Sequence, residues 1–164
     1  LGLVSRLLHD HLSLGDVILA KEPEGEFILS VDNDRPIVLI SAGIGITPMV
    51  SMLHVLAIQN RRIYFVHGAR NGPHHPFREE VAALAGSNDM IQLIVLYTNP
   101  HEEDVEDRDY HRSGRIDMGV MEKFVPINSA EFFVCGSKRF LADMVSLLTE
   151  RGVADKYIHI ESFN

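Results

Sequence analysis

The rhythm of apolar and polar positions changes at Pro36. Ahead of it, residues 16–20 and 26–30 are short apolar stretches separated by Pro23 and Gly25, and they predict two short strands. A polar connector, Asp32-Asn33-Asp34-Arg35-Pro36, follows. Beyond it, Ile37-Val38-Leu39-Ile40-Ser41 is apolar without alternation, the mark of a strand buried on both faces of a parallel sheet. From Pro48 to Ile58 the period lengthens, and Met49, Met52, Leu53 and Leu56 share one helical face. Further strands are expected at 63–67, 90–97, 131–135 and 157–160, with helices at 77–85, 118–124 and 137–151 between them. Residues 101–111 are acidic and irregular, which predicts an exposed excursion. Five apolar strands alternating with helices predict an α/β fold: a five-stranded, doubly wound parallel sheet with right-handed crossovers. Residues 1–33 hold too little mass for a core of their own. They read as the remnant of a neighbouring domain, and 34–164 as the sheet domain.

Composition narrows the function classes. The chain has 164 residues, is 46% apolar and carries a formal net charge of −8. That charge argues against nucleic acid and anionic membrane surfaces as partners. The single cysteine, Cys135, excludes an internal disulfide and a multi-cysteine metal site. No apolar run is long enough to span a bilayer and no signal peptide is visible, so the expected location is cytoplasmic.

The chemistry concentrates in Gly43-Ile44-Gly45-Ile46-Thr47-Pro48, where the first buried strand breaks into a turn that opens a helix. Tight glycine turns leading into a helix N-terminus offer unpaired backbone N–H groups and a favourable dipole to a pyrophosphate. The third glycine of the usual dinucleotide fingerprint is missing, replaced by Pro48 after Thr47. Thr47 reads as the N-cap and Pro48 as the first helical residue. By itself the pattern fits an ordinary strand-to-helix turn equally well.

The loop stands in ordered company: Gly2-Leu3-Val4-Ser5, Leu8-His9-Asp10, Leu14-Gly15-Asp16, Pro23-Glu24-Gly25-Glu26-Phe27, His67-Gly68-Ala69-Arg70-Asn71, Val134-Cys135-Gly136 and Ile158-His159-Ile160-Glu161-Ser162-Phe163. Together these segments resemble the ferredoxin–NADP reductase superfamily, in particular the reductase half of bacterial flavohaemoglobins. The resemblance implies an NAD(P)-binding domain over 34–164, preceded by an FAD-binding β-barrel of which 1–33 is the C-terminal remnant. The family's Arg-x-Tyr-Ser flavin segment is absent. The implied activity is hydride transfer from NAD(P)H to FAD, then electron transfer to a haem, iron–sulfur or other acceptor on a fused or partner domain. Implied contacts place the coenzyme pyrophosphate on Gly43, Gly45, Ile46, Thr47 and Pro48, and the nicotinamide beside Cys135 and Gly136. Glu161 and Phe163 would flank the flavin ring, with Gly2, Val4 and Ser5 at the flavin pyrophosphate.

Each of these residues has a plainer reading. Cys135 also reads as a small buried hydrophobe, Glu161 as a solvated acid, Phe163 as a core plug, and Gly2 to Ser5 as a frayed terminus. Arg70 reads as a contact for a coenzyme 2′-phosphate or as a surface ion pair, which leaves NADH and NADPH both open. Adjacent His74 and His75 should point apart, and no histidine has metal-ligand spacing, so no metal is expected. A second class of function stays open beside the oxidoreductase: a nucleotide-binding module or assembly subunit without turnover of its own.

Overall fold

A computed structural model describes residues 2–22, 24–29 and 33–162. A helix, α1 (Leu3–Asp10), leads the chain. The sheet domain then runs β1 (Ile37–Ala42), α2 (Ile46–Ala57), β2 (Ile63–Ala69), α3 (Arg78–Ser87), β3 (Ile91–Tyr97) and β4 (Arg112–Ser113). It continues through α4 (Met118–Phe124), β5 (Glu131–Gly136), α5 (Lys138–Glu150) and β6 (Ile158–Ser162). Strand order is β4-β3-β2-β1-β5-β6, and every pairing is parallel. The α/β class is as expected, with six strands rather than five. The extra one, β4, is two exposed residues after the acidic excursion, too short and too polar to announce itself.

Strand β1 is central because its side chains serve both faces. Val38 and Ile40 join Val66, Phe132 and Val134 under α4 and α5, while Ile37 and Leu39 join Phe65 and Phe133 under α2 and α3. The predicted α2 face, Met49, Met52, Leu53 and Leu56, is buried throughout. Chain order carries β1 to β4 outward in one direction and then returns to place β5 on the other side of β1. The β1/β5 junction is therefore the topological switch point, where open sheets of this kind leave a crevice at the carboxyl ends of their strands.

The front segment differs from expectation. Residues 16–20 and the described part of 26–30 form no strands. A strand needs a ladder partner, and an isolated pair is marginal in water. Val17 and Leu19 are 90% and 102% exposed, whereas Phe27 and Leu29 rest against the α2-side core, Phe27 edge-on to Phe133 at 5.9 Å. Helix α1 buries none of its residues; Leu3, Val4, Leu7 and Leu8 all face solvent. The connector after this segment is fastened firmly. Asn33 Nδ2 donates to Glu131 Oε2 (2.8 Å), and the Arg35 guanidinium donates to the Ala130 and Asn128 carbonyls while lying 3.9 Å over the Tyr157 ring.

Candidate functional site

The loop after β1 begins with Gly43 at φ +54°, a left-handed conformation that glycine adopts without the steric cost of a side chain. Gly43–Gly45 form one 3-10 turn, and α2 starts at Ile46. Thr47 is thus not the N-cap and Pro48 not the first helical residue; Gly45 caps, because the 3-10 turn already bends the chain into the helix. The Thr47 hydroxyl donates instead to the Ile44 carbonyl at 3.1 Å. Gly45 serves a close approach. A Cβ there would run into the Cys135 carbonyl group and stand 2.9 Å from Gly136 N. The loop therefore lies directly on the end of β5, across the switch point.

Beside the loop opens a cleft of about 930 Å³. Ala42 and Gly43 form its floor with Gly68, Ala69 and Thr98 at the neighbouring strand ends. Its walls carry Arg70, His74 and Arg115, and Arg139 with Phe140 and Asp143 from α5. Three arginines line the cleft, with Asp117 and Asp143 also on its walls, in a chain of net charge −8. Among the described residues none of the three has a carboxylate within 4.0 Å. Unpaired guanidiniums around a glycine turn and a helix N-terminus suit phosphate groups, which they hold in bidentate fashion.

Of the sequence candidates, Gly43 and Arg70 line this cleft, and Gly45 supports it from beneath. Cys135 is fully buried at the end of β5, its side chain within the α2-side core. Burial, with the Glu161 charge adding, pushes its thiol up to about 11, so it is an uncharged thiol at neutral pH. Glu161 is the register partner of Cys135 on β6, and its Oε1 accepts from Ser162 N at 3.0 Å. A Cβ on Gly136 would meet the Phe140 ring at 2.6 Å, so this glycine admits α5 close to the strand end. Gly2, Val4 and Ser5 belong to the exposed α1 and its start, and none lines the cleft. Phe163 lies outside the described residues.

Sequence reading missed Arg115 and Arg139. Arg115 sits just past the unpredicted β4, in a segment without apolar rhythm. Arg139 did carry a signal: with Lys138 it places positive charge in the first turn of α5, against the helix dipole, where an anionic ligand removes the conflict.

Beneath the cleft lies a buried polar chain. Ser41 Oγ and His67 Nδ1 are 2.9 Å apart, and the His67 ring stacks on His75 with centroids 4.8 Å apart. His75 Nδ1 lies 2.9 Å from the Tyr97 hydroxyl. His74 turns away from its neighbour, toward the cleft, with Nδ1 at 2.6 Å from Asn71 Oδ1. Burial first, and then the nearby His75, hold His67 down to about 3; burial and Arg78 hold His75 down to about 4. Both rings are neutral in the folded chain, while the unfolded chain binds protons near pH 6.5. Stability from this pair is therefore complete above pH 6.5 and is lost progressively as pH falls toward 4 for His75 and toward 3 for His67. At pH 5 His67 alone should cost about 2 kcal/mol, with His75 acting in the same direction. Thermal unfolding at pH 7.5 and pH 5 checks this: a marked fall in Tm is expected, and an unchanged Tm would mean that the rings are not buried as described.

Comparison with known proteins bears on the same region. Residues 39–146 match the family model described as oxidoreductase NAD-binding domain. A flavohemoprotein of Bacillus cereus is 38% identical over 164 residues, covering 99% of this chain and 41% of the relative. A Rhizobium meliloti flavohemoprotein is 36% identical over 163 residues, with 99% and 40% covered. The chain thus spans about two-fifths of the length of these relatives. Among solved structures, the flavohem-like FAD/NAD binding domain of nitric oxide dioxygenase from Vibrio cholerae aligns with a TM-score of 0.86 at 33% identity. That alignment covers 99% of this chain and 65% of the other. An Amycolatopsis cytochrome P450 reductase shares the fold, with a TM-score of 0.79 at 24% identity over 95% of this chain and 46% of that one.

Proposed function

Since the chain belongs to the oxidoreductase NAD-binding domain family, and is similar to the reductase half of flavohaemoglobins, we propose that the cleft binds NAD(P)H and presents its nicotinamide for hydride transfer. The observation that carries this reading is the seating of the Gly43–Gly45 turn on the end of β5, beside a cleft with three arginines that no described carboxylate pairs. The pyrophosphate would lie against the turn and the start of α2, with Gly43, Gly45, Ile46, Thr47 and Pro48 shaping that wall. Cys135 and Gly136 would border the nicotinamide, with Cys135 filling space as a neutral thiol rather than acting as a nucleophile. The adenosine half would extend along Arg70 and His74. Arg70, Arg115 and Arg139 favour a coenzyme that carries an additional phosphate, which makes NADPH the expected partner.

FAD would accept the hydride and release electrons one at a time. Residues 2–22 and 24–29 build no barrel wall of their own. The flavin would be held by a barrel preceding the sheet domain, with Glu161 and Phe163 near its ring and a haem or iron–sulfur acceptor on a fused or partner domain. No helix among the described residues is long and apolar enough to cross a membrane. We read the chain as a component of a cytoplasmic oxidoreductase. The lack of strands among the described residues of the front segment favours one alternative, a nicotinamide-binding module that turns over only when joined to a flavin domain.

Coenzyme titration followed by nicotinamide fluorescence tests the reading. Arg70→Ala should weaken NADPH binding about tenfold, the loss of one charge-assisted phosphate contact, and NADH binding less than twofold. Equal effects on both coenzymes would place Arg70 away from any 2′-phosphate. No binding of either coenzyme by the unaltered chain would overturn the proposal.

A further inference from the structure

The turn that carries the far end of the cleft, Asn71 to His75, is pinned from two sides. On its outer side, Asn99 N donates to the Arg70 carbonyl at 2.9 Å, and Gly72 N lies 3.2 Å from both Asp104 carboxylate oxygens. On its inner side His75 reaches into the core, only 7% exposed. There it stacks on His67 and meets Tyr97, which is fully buried and itself stacked on Tyr110 at 4.9 Å. The Nε2 atoms of His67 and His75 are both buried without a protein partner. Apolar side chains would fill this space without leaving two unsatisfied nitrogens, so stability alone does not account for a pair of histidines here. The chain Ser41–His67–His75–Tyr97 instead links three strand ends to one turn. Ser41 and His67 each lie within three residues of cleft-lining positions, Ala42 and Gly43 on one strand end and Gly68, Ala69 and Arg70 on the other.

We propose that His75 is a positioning residue of the coenzyme site: its stacking on His67 and its hydrogen bond with Tyr97 hold the Asn71–His75 turn so that Arg70 and His74 face the cleft. The inference rests on the coenzyme reading above and adds a residue that touches no ligand. Because His74 and His75 are consecutive, burying the second ring fixes the outward direction of the first. The bond from His74 to Asn71, itself only 4% exposed, then locks that direction. Arg70 at the exit of β2 inherits the same constraint through the turn it begins.

Two substitutions remove the same hydrogen bond from opposite sides. Tyr97→Phe deletes one oxygen and leaves the ring packing, and His75→Phe keeps a stacked ring. Each is made in the full chain, alone and with Arg70→Ala, and NADPH affinity is measured by titration. Each single change should weaken binding about fivefold. Combined with Arg70→Ala, either should add little, because the arginine's contribution already depends on the turn. Amide hydrogen exchange should rise in residues 71–75 while β1, β2 and β5 stay protected. Unaltered affinity in Tyr97→Phe and His75→Phe, or effects that simply multiply with Arg70→Ala, would overturn the positioning role while the coenzyme reading stands. Failure of the unaltered chain to bind NADPH or NADH would remove that reading itself.

Discussion

The largest loss of coenzyme affinity is expected from Gly45→Val. The new branched side chain cannot occupy the space taken by the Cys135 carbonyl and Gly136 N, both of them backbone, so the turn must lift off the end of β5. Forcing atoms into packed space of this kind costs about 1–3 kcal/mol of stability, occasionally more. Binding suffers further, because the lifted turn no longer aims its N–H groups at the pyrophosphate. A weakening of a hundredfold or more, about 2.7 kcal/mol, is expected for NADH and NADPH alike. Gly45→Ala should fail in the same way with a smaller loss, since even one methyl group meets the Cys135 carbonyl. Gly43→Ala makes the contrast. A Cβ there meets nothing within 4 Å, so the cost is the left-handed backbone alone, on the order of 1 kcal/mol. Calorimetric titration separates the three. Normal coenzyme affinity in a folded Gly45→Val chain would mean that the phosphates bind elsewhere.

The second large effect concerns flavin. Incubated with FAD and then freed of unbound flavin, the chain should come through colourless while still binding the coenzyme. The physical reason is the state of residues 2–22 and 24–29. No described strand forms there, α1 buries nothing, and Leu3, Val4, Leu7, Leu8, Val17 and Leu19 face water. A flavin needs a wall and ordered donors, and these residues supply neither. Joined to a preceding barrel, the same apolar residues would have something to pack against, and a bound flavin that bleaches on NADPH addition is then expected. A stoichiometric flavin spectrum from the chain alone would show that the barrel is not needed, and would remove the alternative of a module without turnover.

Where the physics is local, the sequence was legible. The unbroken apolar run of β1, the four-residue face of α2 and the bounds of α4 follow from side-chain periodicity alone, and each is found where periodicity places it. The start of α2 was misplaced by two residues because a 3-10 turn is set by backbone closure, which Thr47 and Pro48 do not report. The front strands failed for a different reason. Their apolar runs are real, but a strand is made by its partner, and none is present among the described residues. The glycine turn was recognisable as a tight strand-to-helix turn, yet the purpose of Gly45 was not, since its neighbour Cys135 lies ninety residues away along the chain. The arginine trio was hidden likewise. Arg70, Arg115 and Arg139 come from three segments that only the strand order brings to one edge.

An amide chemical-shift map of the labelled chain, titrated with NADPH, locates the coenzyme on the protein surface. The largest shifts are expected at Gly43 to Thr47, at Arg70 and His74, and at Cys135 to Arg139, all along the carboxyl edge of the sheet. Saturable shifts confined to other surfaces, or none at millimolar coenzyme, would contradict this placement.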